Sequence, residues 1–451
     1  MDEEYIFLKN KGLEAVIRDK ISKPDGSITR SDLKTIRELQ IGHGQVESLN
    51  GIEALENLEI LRISTQLEDI TPLAALMNLE LLDLSNCMNI SDLSPLAELY
   101  KLEKLAVRGN EIVNIEPIAK LFNLHNLDLS INEIKDLQPL SHLTQLELLN
   151  IGSNNIVDLS PLSGLTNLKN LNLYSNNVSC IESLGALTNL WKLNLSNNEI
   201  DDLDPLCNLK HLTSLTLTRN NISDLGVLEN LSELQWLDIS DNPIQDITPL
   251  TDLTSLTDLF LYNLGVKDIN PLAKLDKIIQ LNLADNHIQD LSALAGLKEL
   301  KILNLSGNQI SDLKPLQSLL NLEKLFLTPA IYDSFTKFGP INIEAQEIRI
   351  SLDSAVEVDA EHDSITALYS ITAMKITAND TFDGIYTTTD TRSVAEKYSF
   401  IGYNDSGQRL FERKGINFTY EEITNMYNFE NYLVTPNSFD PSILDNFSFQ
   451  M

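Results

Sequence analysis

The stretch Leu127-Asp128-Leu129-Ser130-Ile131-Asn132-Glu133-Ile134-Lys135-Asp136-Leu137-Gln138-Pro139-Leu140 carries two rhythms. Its first three residues alternate apolar and polar, the period of a strand that buries one face. An asparagine follows among apolar neighbours, where it must find hydrogen-bond partners in the backbone. The end, Ile-Lys-Asp-Leu-Gln-Pro-Leu, places an aspartate ahead of a proline. That order suits a short helical turn capped by the carboxylate, since a first-turn N–H lacks a helical partner anyway.

The same unit recurs. Asn110, Asn132, Asn154, Asn176, Asn198, Asn220, Asn242, Asn286 and Asn308 lie on one 22-residue grid that only Leu264 interrupts. A fixed period of this length with L-x-L-x-x-N is the signature of a leucine-rich repeat, in which each unit is one coil of a solenoid. Coils stacked in register predict a parallel sheet on the concave side, short turns or 3-10 helices on the convex side, and an asparagine ladder between them. Earlier coils drift: Leu61 to Leu82 is one residue short, and Leu82 to Leu105 is one long within Ser85-Asn86-Cys87-Met88-Asn89.

The open end of a solenoid exposes core and needs a cap. Residues Leu13 to Ile21 read as an amphipathic helix, Pro24-Asp25-Gly26 as a turn, and Ser31 as a second helix start. These readings divide the chain into an N-terminal helical cap (1–50), the solenoid (51–329) and a C-terminal domain (330–451). From Ile331 onward the composition shifts, with 18 of the 28 aromatic residues in this last part. Ile341 to Glu344 and Glu347 to Leu352 read as strands, Asn404-Asp405-Ser406-Gly407 as a hairpin turn, and Tyr420 to Tyr427 as a short helix. A small β-rich or α+β domain is expected there.

Composition narrows the function. The chain has 451 residues, 65 acidic against 33 basic side chains and a net charge of -32, which repels nucleic acid and anionic membranes and favours a basic partner. No apolar run approaches the roughly 20 residues that span a bilayer, so membrane insertion is not expected. The acidic start, Met1-Asp2-Glu3-Glu4, differs from a secretory signal, and three scattered cysteines suit a reducing compartment. The expectation is a monomer in the cytoplasm, or one delivered without a cleavable signal peptide.

Residues two, four and six before each ladder Asn point away from the core and line the concave face. Most are small and polar. Trp236, Phe260 and Tyr262, with Asp238 and Asp258 beside them, form the main candidate partner-binding patch, because exposed aromatic side chains dominate interface energetics. Tyr174 and Trp191 form a second candidate site, and Arg108, with Lys104, faces Asp128 on the next strand. At the Leu264 break, Asn263 could serve the ladder one residue early, or the irregularity could mark a functional site. The exposed row Asp136, Asp158, Asp202, Asp224, Asp246, Asp268, Asp290 and Asp312 reads as turn caps rather than a cation track. No catalytic residue, cofactor motif or metal-ligand spacing stands out.

The repeat with Asp158-Leu159-Ser160-Pro161-Leu162, and the cap from Ala15-Val16-Ile17-Arg18 through Lys23-Pro24-Asp25-Gly26-Ser27-Ile28-Thr29 to Asp32-Leu33, resembles the bacterial internalin-like leucine-rich-repeat proteins over about residues 8 to 328. That resemblance implies a non-enzymatic scaffold that grips a protein with its concave face, followed by an immunoglobulin-type β-sandwich. The alternatives are a surface adhesin of the same type and an effector whose C-terminal domain carries an enzymatic activity. No L-P-x-T-G anchor motif is present in the sequence.

Overall fold

The computed structural model describes residues 5–310, 312–327, 347–350, 399–403 and 409–414. The N-terminal cap begins with a helix, Lys11–Lys20, whose N-terminus is closed by the Asn10 side chain accepting from Leu13 N–H. Its apolar side buries Leu13 and Ile17 in the same core that runs through the coils. A second, one-turn helix, Arg30–Leu33, starts at Thr29 and not at Ser31. Thr29 Oγ1 accepts from Asp32 N–H while Asp32 accepts from Thr29 N–H, a reciprocal capping box that satisfies two orphan donors at once.

The parallel sheet opens earlier than the expected end of the cap, at Glu38–Ile41, and its strands follow chain order throughout. Most strands span three residues, as Asn126–Asp128 does, and each pairs with the next coil at the same repeat position. The irregular early coils keep this register. Leu61 pairs with Leu82 and Leu82 with Leu105, while the extra residue is taken up in a turn where Asn86 and Met88 adopt left-handed φ values of 59° and 69°. Glu347–Ile350, beyond the expected domain boundary, pairs with Lys324–Leu327 as the fifteenth strand. In a separate compact unit, Ser399–Tyr403 and Arg409–Lys414 pair antiparallel, flanking the segment read as a hairpin turn. The segments 341–344 and 420–427 lie outside the described residues.

Leucine, isoleucine and valine side chains from every coil form one continuous core from Leu8 to Leu325. Opposite the sheet each coil makes a short 3-10 helix, such as Gln138–Leu140 with Pro139 inside it. The aspartate two residues ahead closes this turn: Asp136 Oδ1 accepts from Gln138 N–H at 2.8 Å, and Asp158, Asp202, Asp224, Asp246, Asp268, Asp290 and Asp312 repeat the bond at 2.8 to 2.9 Å.

The asparagine ladder is realised bond by bond. Asn154 Nδ2 donates to Ile151 O in its own coil (3.1 Å) and to Leu129 O in the coil before (3.0 Å), and its Oδ1 accepts from Ile134 N–H at 3.0 Å. A second amide ladder runs on the other side of the coil, unnoticed in the repeat pattern. Asn57, Asn78, Asn123, Asn167, Asn189 and Asn321 each donate to a backbone carbonyl of the preceding coil at 2.7 to 3.0 Å. Both ladders join successive coils; the bonds of the first are buried and costly to lose, while those of the second are exposed to solvent.

A concave face with one aromatic coil pair

The concave face is three rows of side chains, set by the strand and the turn that leaves it. The middle row carries a device the repeat pattern conceals. Asp128, Asn150, Asn172, Asn194, Asp238, Asn282 and Asn304 each turn Oδ1 back to accept from the backbone N–H two residues on, at 2.9 to 3.2 Å. The bond fixes the sharp exit from the strand. Just beyond it, the residue before each ladder Asn has a left-handed φ, including Ile131 at 56° and Arg219 at 56°. Such a φ is uncommon for any residue but glycine and strained for a β-branched one.

Most middle-row side chains therefore already hold a bond within their own turn, and Asp238 does so through one carboxylate oxygen. Asp238 holds Ser240 N–H at 3.0 Å, and loss of solvent on the floor of the sheet pushes its carboxyl above the ordinary 3.8. Hydrogen bonds from Ser240 and Thr218 oppose that rise, and the Asp241 charge adds to it. Asp128 is shifted the same way for the same reason, with the positive charge of Arg108 among the opposing influences.

Of the candidate residues, the structure brings Trp236, Asp238, Phe260, Asp258 and Tyr262 together. Trp236 pairs with Asp258 across adjacent strands, and Asp238 with Phe260. The Trp236 and Phe260 rings meet on the diagonal, centroids 4.8 Å apart and planes inclined by 39°, a tilted packing that aromatic quadrupoles favour. Both rings and Tyr262 are half-buried, so they offer flat surface without standing clear of the sheet. Tyr262 lies two residues further along, hydrogen-bonded to Asp285, and loss of solvent with the Asp285 and Asp241 charges raises its phenol.

The other candidates lie elsewhere. Arg108 is six strands from Trp236, about 29 Å at 4.8 Å per strand. Tyr174 sits over Gly152: a methyl group added there would fall 2.2 Å from two ring carbons. Trp191 is off the concave rows altogether. It occupies the edge position before the Lys192–Asn194 strand, bonded in line with Lys169 and Thr213, and is 44% exposed. Trp191 precedes its strand while Tyr174 follows the strand Asn170–Asn172, so the two sit at opposite ends of neighbouring coils' strands.

The Phe260 coil departs from the repeat at both amide positions. Phe260 has no oxygen to hold the N–H of Tyr262, which turns instead to Ser240 Oγ on the neighbouring strand at 3.2 Å. Leu264 is buried where the ladder Asn should be, and its N–H and that of Val266 both bond Asn286 Oδ1, at 3.2 and 3.0 Å. Asn263 does not replace the missing amide. Its side chain donates to Asp241 Oδ1 at 2.7 Å on the rim. Sequence alone held the signal for this: aligned on the grid, position 260 places a ring in a column that is mostly Asn and Asp, in the same coil where position 264 breaks the Asn column.

Away from the concave face, Met77, Tyr100 and Phe122 take equivalent positions in three successive coils and are all exposed. The repeat reading had passed over this apolar column. Among the described residues no helix is long and apolar enough to cross a membrane, and no group of His, Cys, Asp and Glu is arranged to hold a metal ion.

Solenoid, ladder and cap together define a leucine-rich-repeat scaffold, a class built to bind proteins. Residues 122–164, 232–274 and 276–318 match the family of leucine-rich repeats in two copies. The internalin InlF of Listeria monocytogenes is 34% identical over an alignment covering 70% of this chain and 94% of that one, with a TM-score of 0.67. The chain belongs to the internalin-like leucine-rich-repeat proteins. The functional domain of InlJ from the same species (20% identity, 73% and 76% covered, TM-score 0.61) shares the fold. So does a leucine-rich-repeat protein of Leptospira interrogans (24% identity, 66% and 85% covered, TM-score 0.57). No curated protein matches the chain.

Proposed function

We propose that the solenoid binds a protein partner through its concave face, without catalysis, and that the contact centres on Trp236 and Phe260. One observation carries this reading. The ring pair includes the side chain of the Phe260 coil, which lacks both the turn bond and the ladder rung that most coils make, on a face whose other outward side chains are mostly small and polar. Departures from a local rule with no gain in stability are expected at functional positions. Stacked coils make a stiff surface, so the partner meets a preformed shape and little rearrangement follows.

The net charge of -32 favours a basic partner and speaks against nucleic acid. The protein acts as a monomer in the cytoplasm, to be checked by light scattering and cell fractionation. The test of the binding face is a pull-down from the native cell with the wild type beside the Trp236→Ala/Phe260→Ala double variant and a Tyr174→Ala control. A stoichiometric protein should be retained by wild type and control and lost by the double variant. Equal capture by all three would refute the assigned face.

A further inference from the structure

The chemistry around the ring pair is more specific than an apolar patch. On the two strands Trp236–Asp238 and Asp258–Phe260, ring and carboxylate alternate like the squares of a board: Trp236 beside Asp258, Asp238 beside Phe260. All four project from the same face, since positions two apart on a strand share a side. The rim continues the pattern with Tyr262 bonded to Asp285 and with Asp241 one coil earlier. Across the concave rows and rim of residues 236–241, 258–263 and 280–285 stand four aspartates, Asp238, Asp241, Asp258 and Asp285, and no lysine or arginine.

We infer that this board is a receptor for an arginine side chain of the partner protein, a claim that rests on the concave face being the binding face. A guanidinium is the group that satisfies both kinds of square. It is planar and weakly hydrated, so it stacks on an indole or phenyl face, and its fork of N–H donors pairs with a carboxylate beside that face. An ammonium is a compact, strongly hydrated point charge that stacks poorly. An apolar side chain would cover the rings and leave Asp258 and Asp238 facing a desolvated contact without a counter-charge, which is costly. The chain already seats one guanidinium at the rim. Arg219 Nε lies 3.2 Å from Asp241 Oδ2, and its charge is felt by Tyr262.

The two tryptophans allow a direct test on the full chain. Trp191→Phe, off the concave face, leaves Trp236 as the only indole, and its emission reports on the board. This protein is titrated with the capped tripeptides acetyl-Gly-Arg-Gly-amide, acetyl-Gly-Lys-Gly-amide and acetyl-Gly-citrulline-Gly-amide. The expected result is a saturable change with the arginine peptide, weakened about tenfold or more with citrulline, its neutral isostere, and severalfold with lysine. Asp258→Asn should weaken the arginine peptide and leave citrulline unchanged. Citrulline or lysine binding as well as arginine, or no saturable change with arginine, would overturn the inference. If the pull-down partner is still lost by the double variant while the arginine peptide is silent, the face stands and the arginine assignment alone fails.

Discussion

Two stretches of one sheet, built on the same backbone, do different work. In the coils of Asn150, Asn172 and Asn194 the middle row is amide throughout, each side chain is folded back onto its own turn, and Asn150 and Asn172 are buried. In the coils of Asp238 and Phe260 a ring replaces an amide, a serine on the next strand takes over the orphaned N–H, and the ladder skips a rung at Leu264. The register is unchanged across both. A stacked solenoid thus tolerates local loss of its polar code, because the leucine core and the neighbouring coils keep the strand in place. The space released faces outward.

The largest effect should come from breaking the amide side of this comparison. Asn176→Ala removes two buried donations, to Ile151 O and Leu173 O, and strands Ile156 N–H. A loss of about 3 kcal/mol in urea-unfolding free energy is expected. If Asn176→Ala costs no more than an exposed substitution, the ladder is not what joins the coils.

Next comes conversion of one region into the other. Phe260→Asn restores the oxygen that holds Tyr262 N–H, so stability should change by less than about 1 kcal/mol, while partner affinity falls by about 2 kcal/mol, near 30-fold. Calorimetry on the two proteins separates these. Affinity preserved with Asn at 260 would remove the ring pair from the interface.

A third test turns on charge. Burial raises the Asp238 carboxyl above 3.8, so the folded state holds the proton more tightly than the unfolded chain does. Its penalty is absent below the ordinary aspartate range and grows as pH rises through the folded-state value. Asp238→Asn keeps the turn bond and removes that penalty: its melting temperature should exceed the wild type at neutral pH and converge with it below pH 4 or so. The convex aspartates make the opposite case. Exposed Asp69, Asp92, Asp246 and Asp290 form the same kind of turn, and donation from the hydroxyl and N–H two residues on holds them below 3.8, so their contribution is lost on acidification. The same local bond gives opposite pH behaviour on the two faces.

The smallest effect concerns the left-handed row. Ile131→Gly relieves a β-branched side chain at φ 56° and should stabilise by about 0.5 kcal/mol after the entropy of glycine is subtracted. A loss instead would mean the exposed Ile131 side chain packs better than its backbone strain suggests.

Much of the candidate site was legible. Counting back from Asn242 put Trp236 on the concave face, and the 22-residue step put Phe260 diagonal to it. Other readings failed for physical reasons. Trp191 and Tyr174 are both rings in neighbouring coils, yet the strand begins one residue too late to include Trp191 on the face. Asn263 was a plausible substitute for the missing rung, but its left-handed backbone, φ 52°, aims the amide at Asp241 on the rim. Ser31 resembled a cap, and Thr29 won because Asp32 could answer it.

From sequence come the coil length, the register of the sheet, the three outward rows and the identity of every side chain in them. These follow from two translational rules, the alternation along a strand and the repeat between coils, which hold wherever the apolar pattern is kept. Folding in three dimensions settled what those side chains are able to do. Whether an aspartate is solvated or engaged, which neighbour rescues an orphaned N–H, and which rings touch all depend on atoms from several coils at once, and no pattern within one repeat encodes them.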